Sequence, residues 1–172
     1  MLKIIGSFIV IGTATITGFS YAGLFSERVK QLRDIQYALR ALEAEIVYTE
    51  TPLSVAFKNV GLKCDKPISK LFLCISEVLH KKQVKSVLDA FNEANLDSKG
   101  EVYLNKEETE VMSSFMNSLG NTDIEGQKKN FNITIKKLEL FEEKAVESKN
   151  KNEKLYKYLG VSAGLLVVII LF

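Results

Sequence analysis

The sequence predicts an all-α protein: an antiparallel bundle of about six helices, flanked by an N-terminal and a C-terminal transmembrane helix. Three observations predict it. An apolar run stands at each end of the chain, over residues 4–24 and 158–172. Between them, every strong apolar periodicity is the alternating three-and-four of a helix. No stretch shows the every-other-residue pattern of a half-buried strand. The expected domains are an N-terminal transmembrane helix over 1–25, a cytoplasmic bundle with a charged stalk over 26–157, and a C-terminal transmembrane helix over 158–172.

The first run, IIGSFIVIGTATITGFSYAGL, has 21 uncharged residues. At 1.5 Å per residue that crosses a hydrocarbon core of about 30 Å. The second, YLGVSAGLLVVIILF, is shorter, so Leu155 and Tyr156 are expected to join it while Lys157 reaches the surface. Basic residues orient both. Only Lys3 precedes the first run, whereas Arg28, Lys30 and Arg33 follow it. Lys144, Lys149, Lys151, Lys154 and Lys157 precede the second, and no charged side chain follows it. The positive-inside rule therefore puts the middle in the cytoplasm and both termini outside. A rival reading takes the first run as a signal peptide cleaved after Ala22. It conflicts with the lysine-rich flank of the second run, which would then lie outside.

Small residues recur at helical spacing in both runs. Ala14, Gly18 and Ala22 lie four apart, and Gly160 with Gly164 forms a GxxxG. These positions are candidates for packing against each other or against a partner span.

In the middle, Ser26 is placed to cap a first helix with Val29, Leu32, Ile35, Leu39, Leu42 and Ile46 on one face. Thr51 as cap and Pro52 at the first position start a second, which Gly61 ends. Pro67 opens a third, with Ile68, Leu71, Phe72, Ile75 and Leu79 inward. Val84, Val87, Leu88 and Phe91 mark a fourth, and residues 97–100 read as a turn. Asn105 and Glu108 form a capping box for a fifth helix, ended by Gly120; Thr122 and Glu125 form another for the sixth. With no Pro or Gly over 127–159, the sixth is expected to run on into the second apolar segment. Thr51, Pro52, Gly120, Thr122 and Asp123 are read as helix corners.

Sites for chemistry are sparse. The net charge is +2 with acids and bases interspersed, so no basic block marks a nucleic-acid footprint. No Gly-rich loop carries the Lys-Ser/Thr of a phosphate cradle; residues 120–123, GNTD, lack the lysine. Cys64 and Cys74 fit no metal or redox spacing and read as reduced thiols. His80 lies beside lysines, away from any nucleophile motif. Asn132-Ile133-Thr134 matches a glycosylation sequon but falls inside a helix. Glu43 and Glu45, two apart on a helix, diverge by about 200° and share no substrate proton. Glu43, beside the apolar stripe, is the carboxylate expected to be partly buried. No catalytic residue, cofactor, metal or small-molecule substrate is expected.

Three blocks carry a resemblance: ALEAEIVYTETPL (41–53), SLGNTDIEGQ (118–127) and NEKLYKYLGVSAGLLVVIIL (152–171). In order and spacing, with the two terminal spans, the chain resembles the stage III sporulation protein AB family of endospore-forming bacteria. The resemblance covers most of the chain, and over residues 61–105 it does not extend residue by residue. It implies a place in the mother-cell membrane facing the forespore, within a multi-protein, channel-like complex. It also implies a cytoplasmic domain similar to the inner-membrane platform protein of type II secretion and type IV pilus machines, which links a cytoplasmic ATPase to membrane rings. The partners implied are the complex's other subunits, its ATPase among them, and the membrane. Glu43, Glu45, Tyr48 and Gln127 are the candidate partner interface. The other functional class weighed is a membrane-anchored regulatory adaptor that binds a cytosolic partner through the charged stalk.

Overall fold

The computed structural model describes residues 2–81 and 86–171. Val84 of the expected fourth helix and Phe172 of the second apolar run lie outside them. The described residues form six α-helices and one π-helical turn. They are α1 (Leu2–Glu43), the π turn (Ala44–Tyr48), α2 (Leu53–Gly61), α3 (Ile68–His80), α4 (Val87–Asp97), α5 (Lys106–Ser118) and α6 (Ile124–Leu171). The fold is all-α, as predicted. The first and last helices each combine a terminal apolar run with a bundle helix.

Ser26 therefore caps nothing; it is internal to α1. No Pro or Gly lies between residues 24 and 43, so nothing interrupts the i→i−4 ladder there. The Ser26 hydroxyl bonds Glu153 instead.

The chain divides into two units, Met1–Val29 with Glu143–Phe172, and Lys30–Glu142. In the first unit, α1 and α6 run antiparallel along a seam of small residues. Tyr21 and Tyr156 stack at 6.2 Å between ring centroids, and Phe25 lies 5.6 Å from Tyr156. Lys157 pairs with Glu153 at 2.6 Å and sits 5.6 Å over the Phe19 ring. Among the described residues one helix, Ile9–Tyr48, is long and apolar enough to cross a membrane. The second expected span ends at residues 170–172, whose side chains are outside the described set.

The second unit holds the main core. Leu32, Ile35, Leu39 and Leu42 of α1 are fully buried, with Phe57 of α2, Phe72 of α3, Phe91 of α4, Met112 of α5 and Phe131 of α6. Phe57 and Phe72 meet at 5.5 Å, and Phe115 meets Phe131 edge-on at 4.8 Å. Polar clamps fix the connections. The buried Gln31 amide donates to Glu101 O (2.9 Å) and accepts from Tyr103 N (2.7 Å), which holds the α4–α5 loop on α1. Asn105 and Glu108 close the predicted capping box in both directions, at 2.8 and 2.7 Å.

Two predicted caps are replaced by neighbours. Pro52 is the N-cap of α2, and the Thr51 hydroxyl does not cap it. At the start of α6, Asp123 Oδ1 accepts from Gly126 N at 2.9 Å, so Asp123 takes the role assigned to Thr122. The carboxylate reaches the third amide of the helix from one residue closer than the threonine stands. Gly120, with φ +82°, occupies the left-handed conformation after the end of α5, where a side chain is disfavoured.

Candidate functional site

The best-built polar constellation in the second unit lies where α1 gives way to α2. After Glu43 the helix widens into a π turn: Thr49 N bonds Ala44 O at 3.2 Å, five residues back, and Thr51 N bonds Glu45 O at 2.9 Å. The wider turn advances the register by one residue. Val47 is consequently buried, and Ile46, expected to continue the stripe, is only part-buried. Glu50 follows with φ 53°, a left-handed conformation uncommon outside glycine. These two irregularities swing the chain into α2 within residues 49–52 and leave Tyr48 72% exposed.

Glu45 fixes this corner. Its carboxylate accepts from Thr51 Oγ1 (3.1 Å), Asn59 Nδ2 (3.1 Å) and Lys63 Nζ (3.3 Å), with the side chain 16% exposed. The Asn59 hydrogen bond is the main cause holding its carboxyl below the ordinary range; burial opposes it, while Lys63 and Thr51 add to it. Glu45, not Glu43, is thus the carboxylate anchored in the structure. Its oxygens are occupied by donors from α2 and from the residues on either side of that helix, which makes it a strut rather than a free contact.

Glu43 lies instead on a shallow concavity of about 370 Å³, lined by Arg40, Lys128, Asn132, Ile135, Lys136 and Glu139. Arg40 pairs with Glu139 at 2.7 Å. The Lys128 ammonium sits 5.4 Å over the Tyr48 ring. Tyr48 is thereby brought against Lys128 in the second turn of α6. The Gln127 amide is directed back to Thr122 O at 3.5 Å. Of the four interface candidates, Tyr48 is the most exposed, Glu43 and Gln127 are half-buried, and Glu45 is committed within the fold.

One to two turns before Arg40 on α1, Gln36 and Arg33 both donate to Glu142, at 2.9 and 2.6 Å. Burial pushes the Glu142 carboxyl up, and the Arg33 and Gln36 hydrogen bonds outweigh it, so the net direction is down.

The small residues of the terminal helices meet within this chain. A Cβ on Gly18 would stand 2.8 Å from Gly160 Cα, and one on Gly160 would stand 2.9 Å from Ala14 O. A Cβ on Gly164 would lie 3.0 Å from Ile11 Cα and 3.2 Å from Ala14 Cβ. Ala22 is fully buried. Backbone approach this close is possible only without side chains.

The family model described as stage III sporulation protein AB matches residues 3–172. The chain belongs to the stage III sporulation protein AB family. Stage III sporulation protein AB of Bacillus subtilis (strain 168) is 36% identical over 171 residues, which is 99% of both chains. A solved structure of stage III sporulation protein AB (SpoIIIAB) superposes with a TM-score of 0.67 at 32% identity, covering 73% of this chain and 98% of that one. The family is a sporulation family, not a known enzyme family. In this family member the two blocks 41–53 and 118–127 meet in space where Leu53 packs against Gly120: a Cβ on Gly120 would stand 3.2 Å from Leu53 Cδ1.

Several residues of this corner carry no sequence signal. Asn59 and Lys63 sit 14 and 18 residues beyond Glu45, in α2 and the turn that follows it. Lys128 reads as a solvated lysine until Tyr48 lies under it. The π turn has no residue signature.

Proposed function

We propose that this family member is a non-enzymatic platform subunit of the stage III sporulation complex, held in the mother-cell membrane facing the forespore. In this reading both terminal runs span the membrane, the termini lie outside, and residues 26–157 face the cytoplasm. The subunit scaffolds a cytoplasmic ATPase against the complex's membrane proteins. The observation that carries the reading is the π-turn corner: a rigid, strut-braced bend that presents Tyr48, Thr49 and Glu50 to solvent. π turns concentrate at functional sites, and a tyrosine held at fixed height is a good anchor for a protein partner. The continuous course of α1 through Ala22, and the burial of Ala22 against α6, support retention of the first run rather than its cleavage.

The test is an affinity pull-down from sporulating cells after mild crosslinking, with a tag in the turn at residues 98–100. The expected result is recovery of the ATPase with the membrane subunits, and its loss from Tyr48→Ala while the membrane subunits remain. A clean preparation without either, from cells that still make spores, removes the platform reading. The adaptor reading then takes over, and deleting residues 147–153 should abolish whatever partner is captured.

A further inference from the structure

Two exposed helical ridges on the second unit match in length and pitch and oppose in charge. On α4, Asp89, Glu93 and Asp97 are exposed at positions i, i+4 and i+8, beside Leu96, which is 69% exposed. On α6, Lys129 and Lys137 are exposed at i and i+8, with Ile133, 43% exposed, between them. Each ridge is about 12 Å long at 1.5 Å per residue, and each drifts around its helix at the same pitch.

Among the described residues Lys70 senses Asp97 and Lys81 senses Glu93, but neither lysine pairs with the α4 ridge. Among the described residues none of these five charged side chains makes an ion pair. Asp97 accepts only a weak thiol contact from Cys74, at 3.9 Å. The charges flanking α4 cancel each other: Lys70 pairs with Glu101 at 2.6 Å and Lys81 with Glu77. On the other side, Glu139 is taken by Arg40. An acidic ridge with an exposed leucine and a basic ridge with an exposed isoleucine are thus each left open.

We propose that the α4 ridge of one copy docks on the α6 ridge of a second copy, so that the chain assembles head to tail. Each copy carries both halves of the contact, and no ion pair joins them within one copy. The two patches differ, so the contact is heterologous and propagates into a ring or a row rather than stopping at a dimer. Two ridges of this length bury less than the roughly 1,200 Å² of a stable standard interface. The contact is therefore weak in dilute solution and gains from confinement in a membrane, where effective concentration is high. This inference rests on the second unit alone and does not depend on the platform reading.

The experiment uses the purified full-length chain in vesicles of zwitterionic phospholipid, treated with a zero-length carbodiimide that joins touching carboxylates and lysines. The expected result is a ladder of dimer, trimer and longer species. Neutralising one ridge, by Glu93→Gln with Asp97→Asn or by Lys129→Gln with Lys137→Gln, reduces the ladder about tenfold, because complementary surface charge sets partner choice. These changes keep side-chain shape at exposed positions, and unchanged helicity checks the fold. Mixing the two neutralised chains leaves one intact pair of ridges per two copies, so dimers return and longer species do not. A wild-type chain that stays monomeric overturns the proposal. So does a ladder indifferent to either neutralisation, a mixture that gives no dimers, or one that also restores longer species.

Discussion

Glu45 and Asn59 join the π turn to the last turn of α2 through a 3.1 Å hydrogen bond. That bond defines the angle at which the corner leaves the bundle, and it has a pH signature. The folded state holds the Glu45 carboxyl below its ordinary value, first through Asn59. The group therefore stabilises the fold above the unfolded carboxylate pKa of about 4.3 and loses that contribution as pH falls through the lower folded value. Glu45→Gln should cost about 1–3 kcal/mol near neutral pH. The gap between wild type and variant should close on acidification. Urea unfolding of the detergent-solubilised chain at several pH values measures it; a gap constant to pH 3 contradicts the assignment.

The seam of the terminal helices predicts a crosslink. With Cys64 and Cys74 changed to serine, Ala14→Cys and Gly164→Cys place two Cβ atoms about as close as a disulfide needs. Mild oxidation should join them within one chain. Gly18→Ile, whose side chain would enter the Gly160 backbone, should suppress the product. A crosslink equally strong in the Gly18→Ile chain removes the seam.

The corner between α5 and α6 distinguishes two adjacent residues. Asp123→Ala removes the cap of α6 and should cost about 1 kcal/mol. Thr122→Ala should cost less than about 0.5 kcal/mol, because its side chain is exposed and caps nothing. Thermal unfolding of both variants decides it, and equal losses would restore the threonine as cap.

Gln31 offers a test of the buried clamp. Gln31→Leu leaves Glu101 O and Tyr103 N without their partner, at a cost of about 1–3 kcal/mol. Limited proteolysis should then cut residues 98–104 faster than in wild type. Unchanged cleavage with unchanged stability would show that the amide holds nothing.

The sequence by itself determined the helices and their apolar faces. Leu32, Ile35, Leu39 and Leu42 could be placed inward because α-helical spacing is a local property of the backbone, and Asn105 with Glu108 could be paired because a capping box spans one turn. The three blocks that carry the family resemblance were equally legible. The tertiary structure decided what depends on distant partners. Val47 rather than Ile46 is buried because the π turn shifts the register by one. Glu45 rather than Glu43 is anchored because Asn59 arrives from α2 and Lys63 from the turn after it. Each turns on bonds between residues far apart in the chain or on a backbone irregularity, and neither leaves a periodic trace in the sequence.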